Sequence, residues 1–263
     1  MSKQVYALST WLYQNQPLEM ALKKFAETGF NVVELWADQA HLDPRINPDI
    51  EDAVRLVSQF KLQVHSVHAP FHGLDIGSHD LEKLKQTEQW LVKSLEYAGR
   101  LEAKVMVVHP LSFNFKTGSD TSLEATQEMV GRLVELADSK GVTITIENLP
   151  TAPPAYTSLE SLGELFPDPR IGFCIDIGHS HLNHKNIMSE IKAAGSRLIS
   201  SHISNNDGQS DLHSPPQEGS IDVRIVLKEL MALNITPVLE VNGHQNPDAI
   251  LNTLKVFRDQ GDK

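Results

Sequence analysis

Residues 142–150 read VTITIENLP, and their alternation decides what kind of sheet this chain builds. Val142, Ile144 and Ile146 fall on one face of an extended strand, and Thr143, Thr145 and Glu147 on the other. The apolar face suits packing under helices. The polar face then lines an interior, so Glu147 points inward, where a carboxylate is costly unless it is paired or bound to a cation.

The same unit recurs along the whole chain. VYALST precedes a helical stretch from Pro17 to Thr28, NVVELW one from Asp49 to Phe60, LQVHSVHAP one from Asp80 to Arg100, and KVMVVHP one from Ser122 to Ser139. VTITIEN is followed by a helix over Ser158–Phe166, GFCIDIG by Asn186–Ala194, LISSHIS by Ile221–Ala232 and TPVLEV by Pro247–Arg258. Pro17 and Pro247 stand where a helix's first turn tolerates proline, and Gly29 and Gly141 follow helices and lead into strands. Alternation of this kind implies a parallel sheet covered by helices. Eight units in 263 residues, with no linker or low-complexity stretch, predict one closed (β/α)8 barrel domain over residues 1–263.

A barrel also predicts where chemistry sits, because its active site lies at the C-terminal mouth of the strands. Nine residues able to bind a divalent metal fall at those ends: His68, His109, Glu147, Asp176, His179, His202, Asp211, His213 and Glu240. A lone strand-end histidine reads as a hydrogen-bonded rim residue. Five histidines and four carboxylates together would leave unpaired charge in one cleft, and divalent cations resolve that. Donors without cysteine suit zinc, manganese or iron(II) better than copper(I) or an iron–sulfur cluster, and their number predicts two or three ions. The remaining histidines, His41, His65, His72, His79, His181, His184 and His244, lack this registration and read as loop or surface residues.

Composition narrows the partners. With 34 Asp plus Glu against 23 Lys plus Arg, the surface is negative, and no basic run offsets it. Lys83, Lys85 and Lys93 read as the solvated face of a helix. DNA is therefore not favoured, and a small substrate is. A single cysteine, Cys174, excludes an intrachain disulfide; the start MSKQVYALSTWLYQ lacks the features of a secretory signal, and no apolar run reaches the roughly 18 residues of a membrane span. A cytoplasmic protein that does not insert into membranes is the expectation.

At HAP (His68), VVHP (His109), IEN (Glu147), CIDIGH (Cys174 to His179), HISNNDG (His202), DLH (Asp211 to His213) with QEGSID after it, and LEV (Glu240), the chain resembles the endonuclease IV and xylose isomerase-like superfamily of TIM barrels. The resemblance spans essentially the whole barrel. In the three-zinc nuclease branch, positions matching His68 and His109 hold one zinc and Glu147 bridges to a second held by Asp176, His202 and Glu240. His179, Asp211 and His213 match the holders of the third. The isomerase and epimerase branch uses a single ion on positions matching Glu147, Asp176, His202 and Glu240, with the two glutamates moving a proton beside a carbonyl. Its ketose 3-epimerases carry a substrate-gripping arginine about six residues past the strand-seven histidine, where this chain has Gly208. The nuclease branch, in turn, needs basic and stacking residues beside a duplex, whereas ADQAHLDPRINPDI and FHGLDIGSHD carry several aspartates.

The match at all nine positions leads to the expectation of a multi-zinc hydrolase of phosphoester or phosphodiester bonds in a small or nucleotide-like substrate. An abasic-site backbone and a cobamide-type nucleotide-loop phosphodiester both fit. The alternative is a metal-dependent isomerase or epimerase of a sugar or sugar phosphate, with Glu147 and Glu240 as its proton-transfer pair.

Overall fold

The computed structural model describes residues 5–111, 121–243 and 246–261. Eight parallel strands close in sequence order: β1 (Ala7–Ser9), β2 (Val32–Trp36), β3 (Gln63–His68), β4 (Val105–Val108), β5 (Thr143–Glu147), β6 (Gly172–Asp176), β7 (Leu198–Ile203) and β8 (Pro237–Leu239), which pairs back to β1. Around them run α1 (Leu18–Glu27), α2 (Ile50–Gln59), α3 (Leu81–Arg100), α4 (Leu123–Asp138), α5 (Leu159–Leu165), α6 (Ile177–Leu182), α7 (Ile187–Ala194), α8 (Val223–Ala232) and α9 (Pro247–Gly261). The (β/α)8 barrel is thus the fold. The short α6 is an addition to the eight helices that the sequence pattern predicts.

Local chemistry fixes where the helices begin. The side chains of Asp49, Asp80, Ser122, Ser158 and Asn186 each accept a hydrogen bond from a first-turn amide of α2, α3, α4, α5 and α7. Such a cap is worth about 1 kcal/mol, because it satisfies an amide that the helix itself leaves without a partner. None of the helices among the described residues is long and apolar enough to cross a membrane.

Strand register sorts the side chains between two interiors. Ile144 and Ile146 join Leu133, Val134 and Met106 in the core between sheet and helices, as the VTITIE alternation predicts. On the opposite face, register aligns Glu34 with Ser66, His68 with Val107, Glu147 with Cys174, and Asp176 with His202. Laterally paired residues project to the same side, so all of these point into the barrel. Val105, Val107 and Cys174 form a small apolar cluster there, apart from the main core. Toward the C-terminal mouth the lining turns polar.

Candidate metal centre

Glu147 closes β5 and is 1% exposed. Its Oε2 lies 3.0 Å from His109 Nε2 and 3.3 Å from His68 Nε2, and its Oε1 lies 3.1 Å from His202 Nδ1. Asp176, at the end of β6, is steered by Asn148, whose Oδ1 accepts from the Asp176 amide at 2.8 Å and whose Nδ2 donates to the Asp176 carbonyl at 3.0 Å. Asp176 Oδ1 in turn accepts from the His179 amide at 2.8 Å, capping α6. Glu240, just past β8, reaches to 3.4 Å from His202 Nδ1. Donor atoms of Glu147, Asp176, His202 and Glu240 all lie within 4.8 Å of one another. Three of those residues keep a buried atom with no hydrogen-bond partner: Glu147 Oε1, Asp176 Oδ2 and His202 Nδ1. A buried carboxylate oxygen without a partner costs several kcal/mol by desolvation, so the set fits a cation.

The imidazoles carry a second sign of ligation. His68 Nδ1 faces the Ala69 carbonyl at 2.8 Å, His179 Nδ1 the Asn148 carbonyl at 2.8 Å, His213 Nδ1 the Glu240 carbonyl at 3.2 Å, and His202 Nε2 the Glu34 carboxylate at 3.2 Å. Each acceptor requires an N–H on the nitrogen it meets. The other ring nitrogen is then a lone pair in the neutral ring, and in all four it is aimed at the carboxylates of the cluster. This is how histidines are held for a metal.

The remaining candidate ligands form a rim. Asp211 and His213 lie between β7 and α8, with Asp211 at 3.4 Å from His213 Nε2 and 3.6 Å from His179 Nε2. Asp176, His179 and His213 make a further close donor group, as do His68, His109 and Glu147. Charge is distributed unevenly between the levels. Burial would raise the Glu147 carboxyl, but His202 and His109 hold it well below the usual range, whereas burial prevails at Glu240 and pushes it up. On the rim, burial works against a charge on His213, yet Asp211 raises it to about 9.

A cavity of about 580 Å³ opens over the cluster and is lined by seven of the nine predicted ligands, while Asp176 and His202 are fully buried behind it. Its other walls are Trp11, Phe71, Leu111, Leu149, Pro150 and Ala152, with Gln14, Gln39, His72, Thr151 and Asn242 as polar groups. Neither lysine nor arginine lines it among the described residues.

The structure therefore gathers all nine predicted residues, and it corrects the reading of the remaining histidines. His41 is buried at 4% exposure, His65 is half-buried on β3, and His72 stands in the cavity wall, where its Nδ1 meets Asp38 at 3.1 Å. His79 and His184 are exposed, and His181 contacts Ser220; His244 lies outside the described residues. Sequence reasoning missed Glu34. The signal was available, since NVVELW alternates like VTITIE and places one acidic residue on the inward face.

The profile of the xylose isomerase-like TIM barrel family matches residues 22–260. The chain belongs to that family. Among relatives, the uncharacterized protein MJ1311 of Methanocaldococcus jannaschii is 26% identical over 254 residues, covering 93% of this chain and 85% of that one. Fructoselysine 3-epimerase of Escherichia coli O157:H7 is 22% identical over 233 residues, covering 83% and 82%. Of solved structures, a D-tagatose 3-epimerase-like protein superposes with TM-score 0.81 at 23% identity over 98% of this chain and 97% of its own. The IOLI protein with a bound zinc atom superposes with TM-score 0.76 at 17% identity over 97% of each chain. At these identities the structural likeness shows the barrel fold alone.

The expectation of a phosphodiester hydrolase is corrected by these findings, because the curated relatives with a named activity are fructoselysine 3-epimerases and several structural neighbours are named as sugar epimerases. The physical reason is that the ligand pattern does not discriminate. The four donors an epimerase needs are contained within the nine a hydrolase needs, and the described walls add no cationic clamp for a phosphodiester.

Proposed function

We propose that the protein is a metal-dependent epimerase or isomerase of a keto sugar, with one catalytic ion held by Glu147, Asp176, His202 and Glu240. The observation that carries this reading is that donor atoms of Glu147, Asp176, His202 and Glu240 gather within 4.8 Å of one another beside a cavity of about 580 Å³, while the first three residues each keep a buried atom with no hydrogen-bond partner. A divalent ion of the zinc, manganese or iron(II) class bound there would polarise a carbonyl and acidify the C–H beside it. Glu147 ends β5 and Glu240 follows β8, so the two carboxylates stand on different walls of the barrel. One takes the proton from carbon and the other returns one, which inverts that carbon when the two act on opposite faces.

The walls suit a polyol. Trp11 and Phe71 offer apolar ring surface to sugar C–H groups, and the amides of Gln14, Gln39 and Asn242 offer hydrogen bonds to hydroxyls. Gly208 has φ +76°, and a Cβ added there would meet His181 Nε2 at 3.1 Å. An arginine grip does not fit at that position, so in this reading uncharged groups hold the far end of the substrate. The sugar epimerases among the relatives and neighbours support the substrate class, and the zinc atom of the IOLI protein supports the ion.

The test is proton exchange. Protein loaded separately with Zn2+, Mn2+ or Co2+ is incubated in D2O with a panel of ketoses and ketose phosphates, and NMR follows the carbon next to the carbonyl. Deuterium at that carbon together with the epimeric or isomeric product is the expected result. Absence of exchange on every substrate with every ion overturns the proposal.

A further inference from the structure

Below the ligand cluster, on the side of His202 away from the cavity, lies Glu34. It is 0% exposed and belongs to none of the close donor groups. Its Oε2 accepts from Ser66 Oγ at 2.7 Å and faces His202 Nε2 at 3.2 Å, while its Oε1 is buried with no hydrogen-bond partner. Sequestering a carboxylate with one oxygen unsatisfied is expensive, and a neutral residue of the same shape would avoid that expense. Packing therefore does not account for the charge. What does account for it is the ring: His202 is itself 0% exposed, stacks on His68 with centroids 5.5 Å apart, and directs Nδ1 at Glu147 and Glu240. The thiol of Cys174 also approaches it. Glu34 is the carboxylate behind the ring, where a ligand histidine needs an acceptor.

We infer that Glu34 is a positioning residue that holds the proton of His202 on Nε2, fixing the ring in the one tautomer whose Nδ1 lone pair can bind the ion. An imidazole can carry its proton on either nitrogen, and a proton on Nδ1 would aim an N–H at the ion's place. The Glu34 carboxylate accepts and never donates while ionised, so it admits only Nε2–H. It also makes the ring a more basic ligand. Ser66 holds the carboxylate in line. This inference rests on the metal-binding part of the reading above and not on the identity of the sugar.

The test reads the proton and the ion directly. In 15N-histidine-labelled, Zn2+-loaded protein, long-range 1H–15N spectra are expected to show His202 protonated at Nε2 and metal-bound at Nδ1. Glu34→Gln, whose amide can also donate to Nε2 and so favour the wrong tautomer, is expected to weaken Zn2+ binding 10- to 100-fold in competition with a chelator. Its circular dichroism should match that of the wild type. Glu34→Asp, charged but one methylene shorter, should fall between. A wild-type His202 protonated at Nδ1 overturns the inference, as does a folded Glu34→Gln with wild-type Zn2+ affinity, even if its melting temperature drops. Should Glu34→Gln not fold, the wild-type spectrum and Ser66→Ala decide: a several-fold loss of Zn2+ affinity in Ser66→Ala supports the inference, and none overturns it. A protein that shows the expected tautomer and affinities yet exchanges no ketose proton would remove the proposed activity and leave Glu34's role standing.

Discussion

Glu147 and Asp211 are both carboxylates set between imidazoles, yet only one of them needs something more. Glu147 is 1% exposed, touches His68, His109 and His202, and still has an oxygen without a partner. The Asp211 side chain is 29% exposed, so water completes whatever His179 and His213 leave unsatisfied. Residue type and spacing are alike at the two places, and depth separates them. In the interior an unsatisfied charge is costly and a cation would relieve it, whereas at the rim an ion pair with solvent beside it is complete by itself and worth little.

The largest effect that could break this contrast is on turnover. Glu147→Gln should lower ketose proton exchange by about three orders of magnitude or more, roughly 4 kcal/mol at 1.36 per decade, since in the proposed reaction it removes both a charged ligand and a proton carrier. Asp211→Asn and His213→Ala should stay within about tenfold of wild type. NMR exchange rates at saturating metal measure all three, and equal losses at the two levels would erase the distinction between them.

Metal removal probes the same contrast through stability. Chelation should lower the melting temperature by restoring repulsion among Glu147, Asp176 and Glu240, and readdition of Zn2+ at about 100 times its Kd should recover about 3 kcal/mol. Differential scanning calorimetry on Asp176→Asn should show that response largely gone, while His213→Ala keeps it. If His213→Ala is as insensitive to metal as Asp176→Asn, the rim is an essential part of the ion's site.

The smallest effect concerns a buried histidine that belongs to neither level and has no carboxylate to compensate it. His41 sits at 4% exposure with Nε2–H donating to the Gln16 carbonyl at 3.1 Å, and burial lowers its pKa from 6.5 to about 4. Between those values the unfolded chain takes up a proton that the native one refuses. Its contribution is therefore complete above pH 6.5 and is lost as pH falls toward 4, by at most about 3 kcal/mol. Urea melts from pH 4.5 to 7 should show a shallower decline in His41→Gln than in wild type. An identical decline would mean that His41 protonates freely in the fold.

The barrel was legible because its determinants are local and repeated. Period-two strands such as VTITIE, and capping residues such as Asp49 and Ser122, each carry their own instruction. Ligands at strand ends were legible for the same reason, since topology brings successive strand ends to one mouth. What lay beyond reading depends on contacts between distant segments. His72 looks like any loop histidine until Asp38, 34 residues earlier, draws it into the wall. α6 is only six residues long and has no apolar periodicity, so GFCIDIGH read as a strand running into a loop. The choice between hydrolase and epimerase was unreadable for another reason, because it turns on the walls around a shared set of ligands.

Asp176 shows how little latitude a residue has when both of its oxygens are committed. Oδ1 closes the first turn of α6, a helix too short to persist without help, while Oδ2 is buried with no hydrogen-bond partner and the side chain offers a donor atom to the group with Glu147, His202 and Glu240. A glutamate would bring the same charge on a longer arm, and the extra methylene would carry one oxygen away from the amide or the other away from the ligands. The constraint at this position is therefore one of length and not of acidity, and the helix that presents His179 starts only where that arm is the right size.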